Sequence, residues 1–239
     1  MRLLLLSNST MPGEVFFTWP RTLTSTFLGE GRKRVAFVPF AAVSFSMEEY
    51  ADTVAKVFDE MGHDLFSLHR EKDPVAALAA CDAVAVGGGN SFHLLKLLYK
   101  HDLVRAIRRR VQEGLPYIGW SAGSNVACPT IMTTNDMPIC EPPSLRAMGL
   151  VPWQVNPHYT ELRIQGHGGE SRDQRIAEYL EVNREMNVIG LREGSALEVT
   201  DRSVALHGVG MRLFRRTRMP IDLAGGARFA IDLKDVDNA

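Results

Sequence analysis

The segment Gly119-Trp120-Ser121-Ala122-Gly123 limits the possible folds of this chain more than any other. Before it, Leu115-Pro116-Tyr117-Ile118 is a short apolar run that reads as a buried strand. After it, Ser124-Asn125-Val126-Ala127-Cys128 is small and moderately apolar and reads as the first turns of a helix. A serine between two glycines at a strand-to-helix turn is the nucleophile-elbow arrangement. The turn is sharp, and side chains larger than glycine would collide with the neighbouring strand and helix. It lifts the Ser121 hydroxyl out of the sheet and leaves the Ala122 N–H free at a helix N-terminus. The competing reading is a tight strand–helix turn that happens to carry a serine.

The segments upstream alternate in the same way. Leu3 to Leu6 reads as a buried strand, and Arg34 to Phe40 as another that Pro39 closes. Ser46-Met47-Glu48-Glu49 is a capping box, and Met47, Tyr50, Val54, Val57, Phe58 and Met61 follow at helical spacing until Gly62 stops the helix. Leu65 to Leu68 is a short strand, Asp73-Pro74 opens a helix with proline at its first position, and Ala83 to Val86 is a strand ending in Gly87-Gly88-Gly89-Asn90. Helices are expected from about Ser91 to Lys100 and Leu103 to Glu113. Strands and helices joined by short connections predict a three-layer α/β fold, a mostly parallel sheet with helices on both faces. Beyond about residue 130 the pattern loosens. Arg172 to Val182 reads as a helix, Val188 to Leu191 as a strand, and Ala196 to Thr200 with Val204 to Leu206 as a C-terminal β hairpin region. No repeat or long linker divides the chain, so residues 1–239 are expected to form a single domain, with the last dozen residues loosely held.

A chain of 239 residues that is 45% hydrophobic can bury a sizeable core, and a net charge of −1 argues against a general nucleic-acid binder. Arg105, Arg108, Arg109 and Arg110 lie on a predicted helix whose apolar face is Leu103, Val104, Ile107 and Val111, which makes them a solvated face. Cys81, Cys128 and Cys140 show no C-x-x-C spacing and read as free thiols in a reducing compartment. The leucines after Met1-Arg2 are too few for a signal peptide or a membrane span. These features predict a cytoplasmic protein without a membrane segment, a monomer or small homo-oligomer. No H-E-x-x-H or comparable spacing occurs, so neither metal nor cofactor is expected.

A serine hydroxyl is a poor nucleophile until a base takes its proton. Of seven histidines, His63, His69, His93, His101 and His207 read as surface or packing residues, and His167, in Gly166-His167-Gly168-Gly169-Glu170, could belong to a site. His158 stands out in Val155-Asn156-Pro157-His158-Tyr159-Thr160, at the end of an apolar run where an α/β sheet places its site. The carboxylate that orients the imidazole could be Glu193, after the strand Val188 to Leu191, or Asp136, in Thr133-Thr134-Asn135-Asp136-Met137-Pro138. Glu193 is favoured because a core strand holds a side chain more firmly than a loop does. Gly88 or Gly89 could supply an N–H that pairs with that of Ala122 in an oxyanion hole. Asn90 reads as a helix N-cap and a candidate substrate-binding residue. The glycine run lacks the spacing of a nucleotide site.

These motifs, in this order, resemble peptidase E, the α-aspartyl dipeptidases of the class I glutamine-amidotransferase-like fold. The resemblance runs from Leu3-Leu4-Leu5-Leu6-Ser7-Asn8-Ser9 through Val86-Gly87-Gly88-Gly89-Asn90, Tyr117 to Gly123, Thr133 to Pro138, Asn156-Pro157-His158 and Gly166-His167 to Gly190-Leu191-Arg192-Glu193-Gly194. The region after about Met211 has no match in it. It implies a serine peptidase cleaving small peptides with an N-terminal aspartate, with Ser121 as nucleophile, His158 as base and either Glu193 or Asp136 completing the triad. It also implies that Arg172, in Glu170-Ser171-Arg172-Asp173-Gln174-Arg175, binds the aspartate side chain. A guanidinium can grip a carboxylate with two parallel bonds. The alternatives on the same fold are a cyanophycinase-like peptidase or an esterase. An alternative of another class is a catalytically silent binding module.

Overall fold

In the computed structural model the described residues are 1–162, 166 and 168–236. In chain order the elements are β1 (Arg2–Leu6), α1 (Arg21–Leu28), β2 (Arg34–Val38), α2 (Met47–Glu60), β3 (Asp64–Ser67), α3 (Pro74–Ala77), β4 (Ala83–Val86), α4 (Ser91–Lys100), α5 (Leu103–Gln112), β5 (Tyr117–Trp120) and α6 (Ala122–Asn125). The second part of the chain adds β6 (Gln154–Tyr159), α7 (Arg172–Val182), β7 (Asn187–Arg192), β8 (Ser195–Thr200), β9 (Ser203–Gly208), β10 (Gly210–Arg215), β11 (Ile221–Ala224) and β12 (Arg228–Ala230).

Eight strands form the main sheet in the order β12-β9-β8-β1-β5-β4-β2-β3. From β1 to β3 all neighbours run parallel, and β8, β9 and β12 extend the sheet antiparallel beyond β1. β1 is central, which explains its unbroken leucines: Leu3 and Leu5 join the core under α4 and α5, and Leu4 and Leu6 join the core under α1 and α2. A strand covered on both faces has no polar alternation to show. The ends of β1, β4 and β5, three adjacent parallel strands, therefore meet at one edge of the sheet, where α/β folds place their ligands.

Four features depart from the sequence expectation. First, a second sheet, β11-β10-β7-β6, stands apart from the main one and buries Val155, Ile189, Leu191, Met211 and Leu213 against its core. α7 covers its other face through Ile176 and Leu180 on Tyr159, Val188 and Phe214. The expected hairpin exists as β8–β9, but it belongs to the main sheet. Second, α1 has no counterpart in the sequence reading, because it starts after Pro20 without a side-chain cap and its run of threonine and serine has low helix propensity. Third, the final dozen residues are not loosely held as far as Val236: β12 pairs with β9, Trp153 Nε1 donates to the Ile231 carbonyl, and Leu233 and Val236 are buried. Residues 237–239 lie outside the described residues. The helix after Ser121 is also shorter than expected, ending at Asn125. Among the described residues, no helix is long and apolar enough to cross a membrane.

Candidate active site

Ser121 sits between β5 and α6 with φ 52° and ψ −113°, a backbone conformation that non-glycine residues rarely adopt. The flanking glycines make it possible. A Cβ at Gly119 would stand 2.5 Å from the Gly123 carbonyl oxygen, and one at Gly123 would stand 2.0 Å from that of Val86. Both obstacles are backbone and cannot swing away. Ser124 ties the turn to β1 and β5 by sharing its hydroxyl between the Leu6 and Gly119 carbonyls at 2.7 and 2.8 Å.

His158 comes from the second sheet. It lies in β6 where the pairing with β7 slips between Asn156 and Tyr159, and its φ is 54°. This bulge turns the imidazole toward the main sheet, so that Nε2 is 2.9 Å from Ser121 Oγ and Nδ1 is 2.6 Å from Glu193 Oε1. Glu193 sits just beyond β7, on the turn into β8. The His158 and Glu193 side chains are 40% and 42% exposed, so the pair stands in a cleft mouth rather than in the core.

What holds the two together was not foreseen as a functional feature. The buried Ser7 hydroxyl, just past β1, accepts the His158 N–H at 2.9 Å and donates to the Leu191 carbonyl at 2.8 Å. Asn8 Oδ1 accepts the Gly194 N–H at 3.0 Å. Two polar residues at the end of an otherwise apolar strand were the visible signal, but their partners lie more than 150 residues away.

Asp136 is placed elsewhere. Its Oδ2 accepts from the Ser91 N–H at 2.7 Å, the Ser91 hydroxyl at 2.6 Å and the Thr134 hydroxyl at 3.0 Å, at the start of α4. Both ring nitrogens of His158 are engaged by other groups. Asn90 caps α4 by accepting the His93 N–H, and its amide donates to the Met137 carbonyl, so both ends of its side chain are engaged. Gly89 has φ 135°, and a Cβ there would stand 2.2 Å from the Ala41 carbonyl oxygen, so both its backbone and its surroundings call for glycine. The Gly88 N–H is directed at the Tyr50 hydroxyl, which also accepts from Trp120 Nε1 at 2.7 Å. Burial raises the Tyr50 phenol above its ordinary range despite both donors. Among the described residues, the N–H groups of Gly89 and Ala122 have no acceptor.

A cavity of about 480 Å³ opens over Ser121 and His158, lined also by Ser9, Phe16, Phe45 and Asp136. A second, of about 200 Å³, holds Asn135, Asp136, Asn156, Arg172 and Arg175. Arg172 opens α7, whose capping box is Ser171 with Gln174, and its guanidinium donates to Asn135 Oδ1. Among the described residues it makes no ion pair with a carboxylate, whereas Arg192 and Arg212 pair with acidic partners. Burial holds its pKa below the usual guanidinium value. The structure does not place Arg172 in the Ser121 cavity itself. The remaining histidines with described partners face other groups: His63 accepts the Lys33 N–H, His69 meets Ser67 and Glu48, His93 the Phe40 carbonyl, His101 the Phe40 ring, and His207 Glu198. His167 lies outside the described residues. No group of metal-binding side chains occurs among those residues.

A serine at an elbow, hydrogen-bonded to a histidine that a carboxylate orients, is an arrangement of serine-type hydrolases. The model of peptidase family S51 matches residues 3–207, and the chain belongs to that family of serine-type peptidases. It is 48% identical over 207 residues to peptidase E of Nostoc sp., covering 87% of this chain and 86% of that protein. To peptidase E of Salmonella typhimurium it is 44% identical over 230 residues, covering 96% and 100%. In fold it is similar to the crystal structure of a peptidase from an acI-B1 actinobacterium, with a TM-score of 0.70 at 18% identity, covering 96% of each chain.

Proposed function

We propose that this chain is a serine dipeptidase that hydrolyses Asp-X dipeptides through an acyl-enzyme on Ser121. In this reading His158 Nε2 takes the proton of Ser121 Oγ as the oxygen attacks the peptide carbonyl. Glu193, rather than Asp136, holds the imidazole in the required tautomer and stabilises its charged form. The tetrahedral oxyanion is met by the N–H groups of Gly89 and Ala122. His158 then gives its proton to the leaving amine, and water activated by the same histidine hydrolyses the ester.

The observation that carries the aspartate preference is Arg172, a half-buried guanidinium that makes no ion pair with a carboxylate among the described residues, in the cavity next to that of Ser121. A charge taken out of water without a counter-ion is costly, and a substrate carboxylate would relieve it. The test compares hydrolysis of Asp-Leu, Asn-Leu, Leu-Leu and a simple ester. Asp-Leu is expected to lead. Arg172→Ala should lower kcat/KM for Asp-Leu about thirty- to several-thousandfold, the equivalent of roughly 2–5 kcal/mol. It should spare Asn-Leu, and Arg172→Lys should recover only part of the loss. An equal decline on Asp-Leu and Asn-Leu would remove Arg172 from the specificity pocket.

A further inference from the structure

Tyr50 lines the cavity over Ser121, and its hydrogen bonds are incomplete. It sits in the first turn of α2, behind the capping box of Ser46 and Glu49, and only 8% of it is exposed. Phe37 and Phe45 hold its ring edge-on, with centroids 5.2 and 5.1 Å away. The end of β4 makes room for the phenol: a Cβ at Gly87 would stand 2.8 Å from its oxygen. That oxygen accepts from Trp120 Nε1 at 2.7 Å and faces the Gly88 N–H, which together occupy both of its lone pairs. Among the described residues nothing accepts its own proton. Burial keeps the phenol protonated, and with its other sides taken the O–H is left to the cavity. A buried donor in that position calls for an acceptor on whatever enters.

The two cavities order the substrate. Of the residues around Ser121 only Asp136 also lines the cavity of Arg172, so the acyl residue extends that way from the nucleophile. The leaving residue, X, then lies along the remaining wall, which is aromatic: Phe16, Phe45 and Tyr50. In a dipeptide, X carries a carboxylate on the carbon next to the scissile nitrogen. Among the described residues no lysine or arginine lines this cavity, so that carboxylate has to be met by neutral donors. A hydroxyl that donates to a carboxylate makes a short, charge-assisted bond, roughly twice as strong as a neutral one. We propose that the Tyr50 hydroxyl donates to the terminal carboxylate of the leaving residue, seating X against the aromatic wall and favouring dipeptides over substrates without that group. This rests on the acylation of Ser121 proposed above. A phenol that served only to accept from Trp120 and Gly88 would make no distinction between leaving groups.

The experiment compares Asp-Leu with α-aspartyl-3-methylbutylamide, the same molecule without the terminal carboxylate, and in parallel Leu-Leu with leucyl-3-methylbutylamide. The parent protein and Tyr50→Phe are each assayed on all four. The parent should prefer the carboxylate-bearing member by about tenfold or more in kcat/KM, as expected for a hydrogen bond to a charged group. Tyr50→Phe should bring that ratio to within about threefold of unity, chiefly by slowing the carboxylate-bearing member. Phenylalanine also leaves Trp120 Nε1 without its acceptor, so a drop common to both members is expected and the ratio is the quantity that decides. Should Tyr50→Phe fail to fold, the same change in a Trp120→Phe background removes donor and acceptor together, with Trp120→Phe alone as the reference that keeps the phenol. Equal losses on both members, as for a merely structural phenol, would overturn the proposal, as would a parent indifferent to the carboxylate. If the parent cleaves Leu-Leu but not Asp-Leu, the aspartate reading fails while the Leu-Leu pair still decides the role of Tyr50. If it cleaves none of the four, both readings fall.

Discussion

The two sheets hold their share of the site by different means. In the main sheet, Ser121 is fixed by local sterics: glycines on either side, carbonyl oxygens where side chains would be, and a serine that cannot relax from φ 52° without moving the strand or the helix. In the second sheet, His158 and Glu193 are held by distant partners, Ser7 and Asn8 at the end of β1, which tie a bulged strand and a turn to the first sheet. His158 has an equally unusual φ, 54°, but no glycine beside it to enforce that value. The nucleophile side is built by close packing, and the base side by hydrogen bonds that bridge two sheets. Damage should therefore be all-or-none on the first side and graded on the second.

The largest effect should come from the main sheet. Ser121→Ala is expected to lower kcat by about a millionfold with thermal unfolding nearly unchanged, since the hydroxyl contributes little to the core. Turnover within tenfold of the parent would end the serine mechanism. Next comes the second sheet's carboxylate. Glu193→Gln keeps the shape but lets the amide present the wrong hydrogen-bonding partner to Nδ1, so the imidazole tautomer is no longer fixed. A loss of about 10⁴-fold in kcat is expected. A loss below about tenfold would place the orienting group elsewhere.

Ser7→Ala tests the bridge itself. It leaves the His158 N–H without its acceptor, a group whose desolvation costs roughly 1–3 kcal/mol when unpaired. A non-glycine residue at positive φ also stores of order 1–3 kcal/mol, which the surroundings must hold. We expect kcat to fall about tenfold with KM nearly constant, because the ring moves while the substrate pockets do not. A change confined to KM would mean that Ser7 shapes the cavity rather than the histidine.

The same contrast explains how much could be read from the sequence. The main sheet was legible because its signals are local: the capping box of α2, proline at the start of α3, and glycines where β4 and β5 turn into helices. Ser121 belongs to that class. His158 and Glu193 could be singled out as polar residues at the ends of apolar runs, but their approach to each other depends on the pairing of β6 with β7, which no local pattern announces. The Ser7 bridge links residues 151 and 184 positions apart in the chain, so its polarity was visible and its partners were not. α1 escaped for the opposite reason, since it forms through packing of Phe27 and Leu28 against local propensity.

The smallest effect should come from Cys128, although it lies at the seam between the two regions. It is completely buried just past α6, where its thiol accepts the Val155 N–H of β6 at 3.2 Å and points at the Ser124 carbonyl at 3.6 Å. Sequence reasoning placed this side chain along the helix that follows Ser121; with the helix ending at Asn125, it faces the second sheet instead. Burial pushes the thiol up to about 12, so it stays protonated and unreactive at neutral pH. A hydroxyl in its place could serve the same two backbone groups after a small local shift. Cys128→Ser should therefore change kcat by less than about threefold and cost only about 1 kcal/mol of stability, through poorer packing of a smaller atom. Alkylation of the folded parent with iodoacetamide, followed by peptide mapping, should label the partly exposed Cys140 and spare Cys128. If Cys128→Ser lowered kcat as far as Ser7→Ala, the seam would be transmitting strain from β6 to His158, and the base side would depend on packing as much as the nucleophile side does.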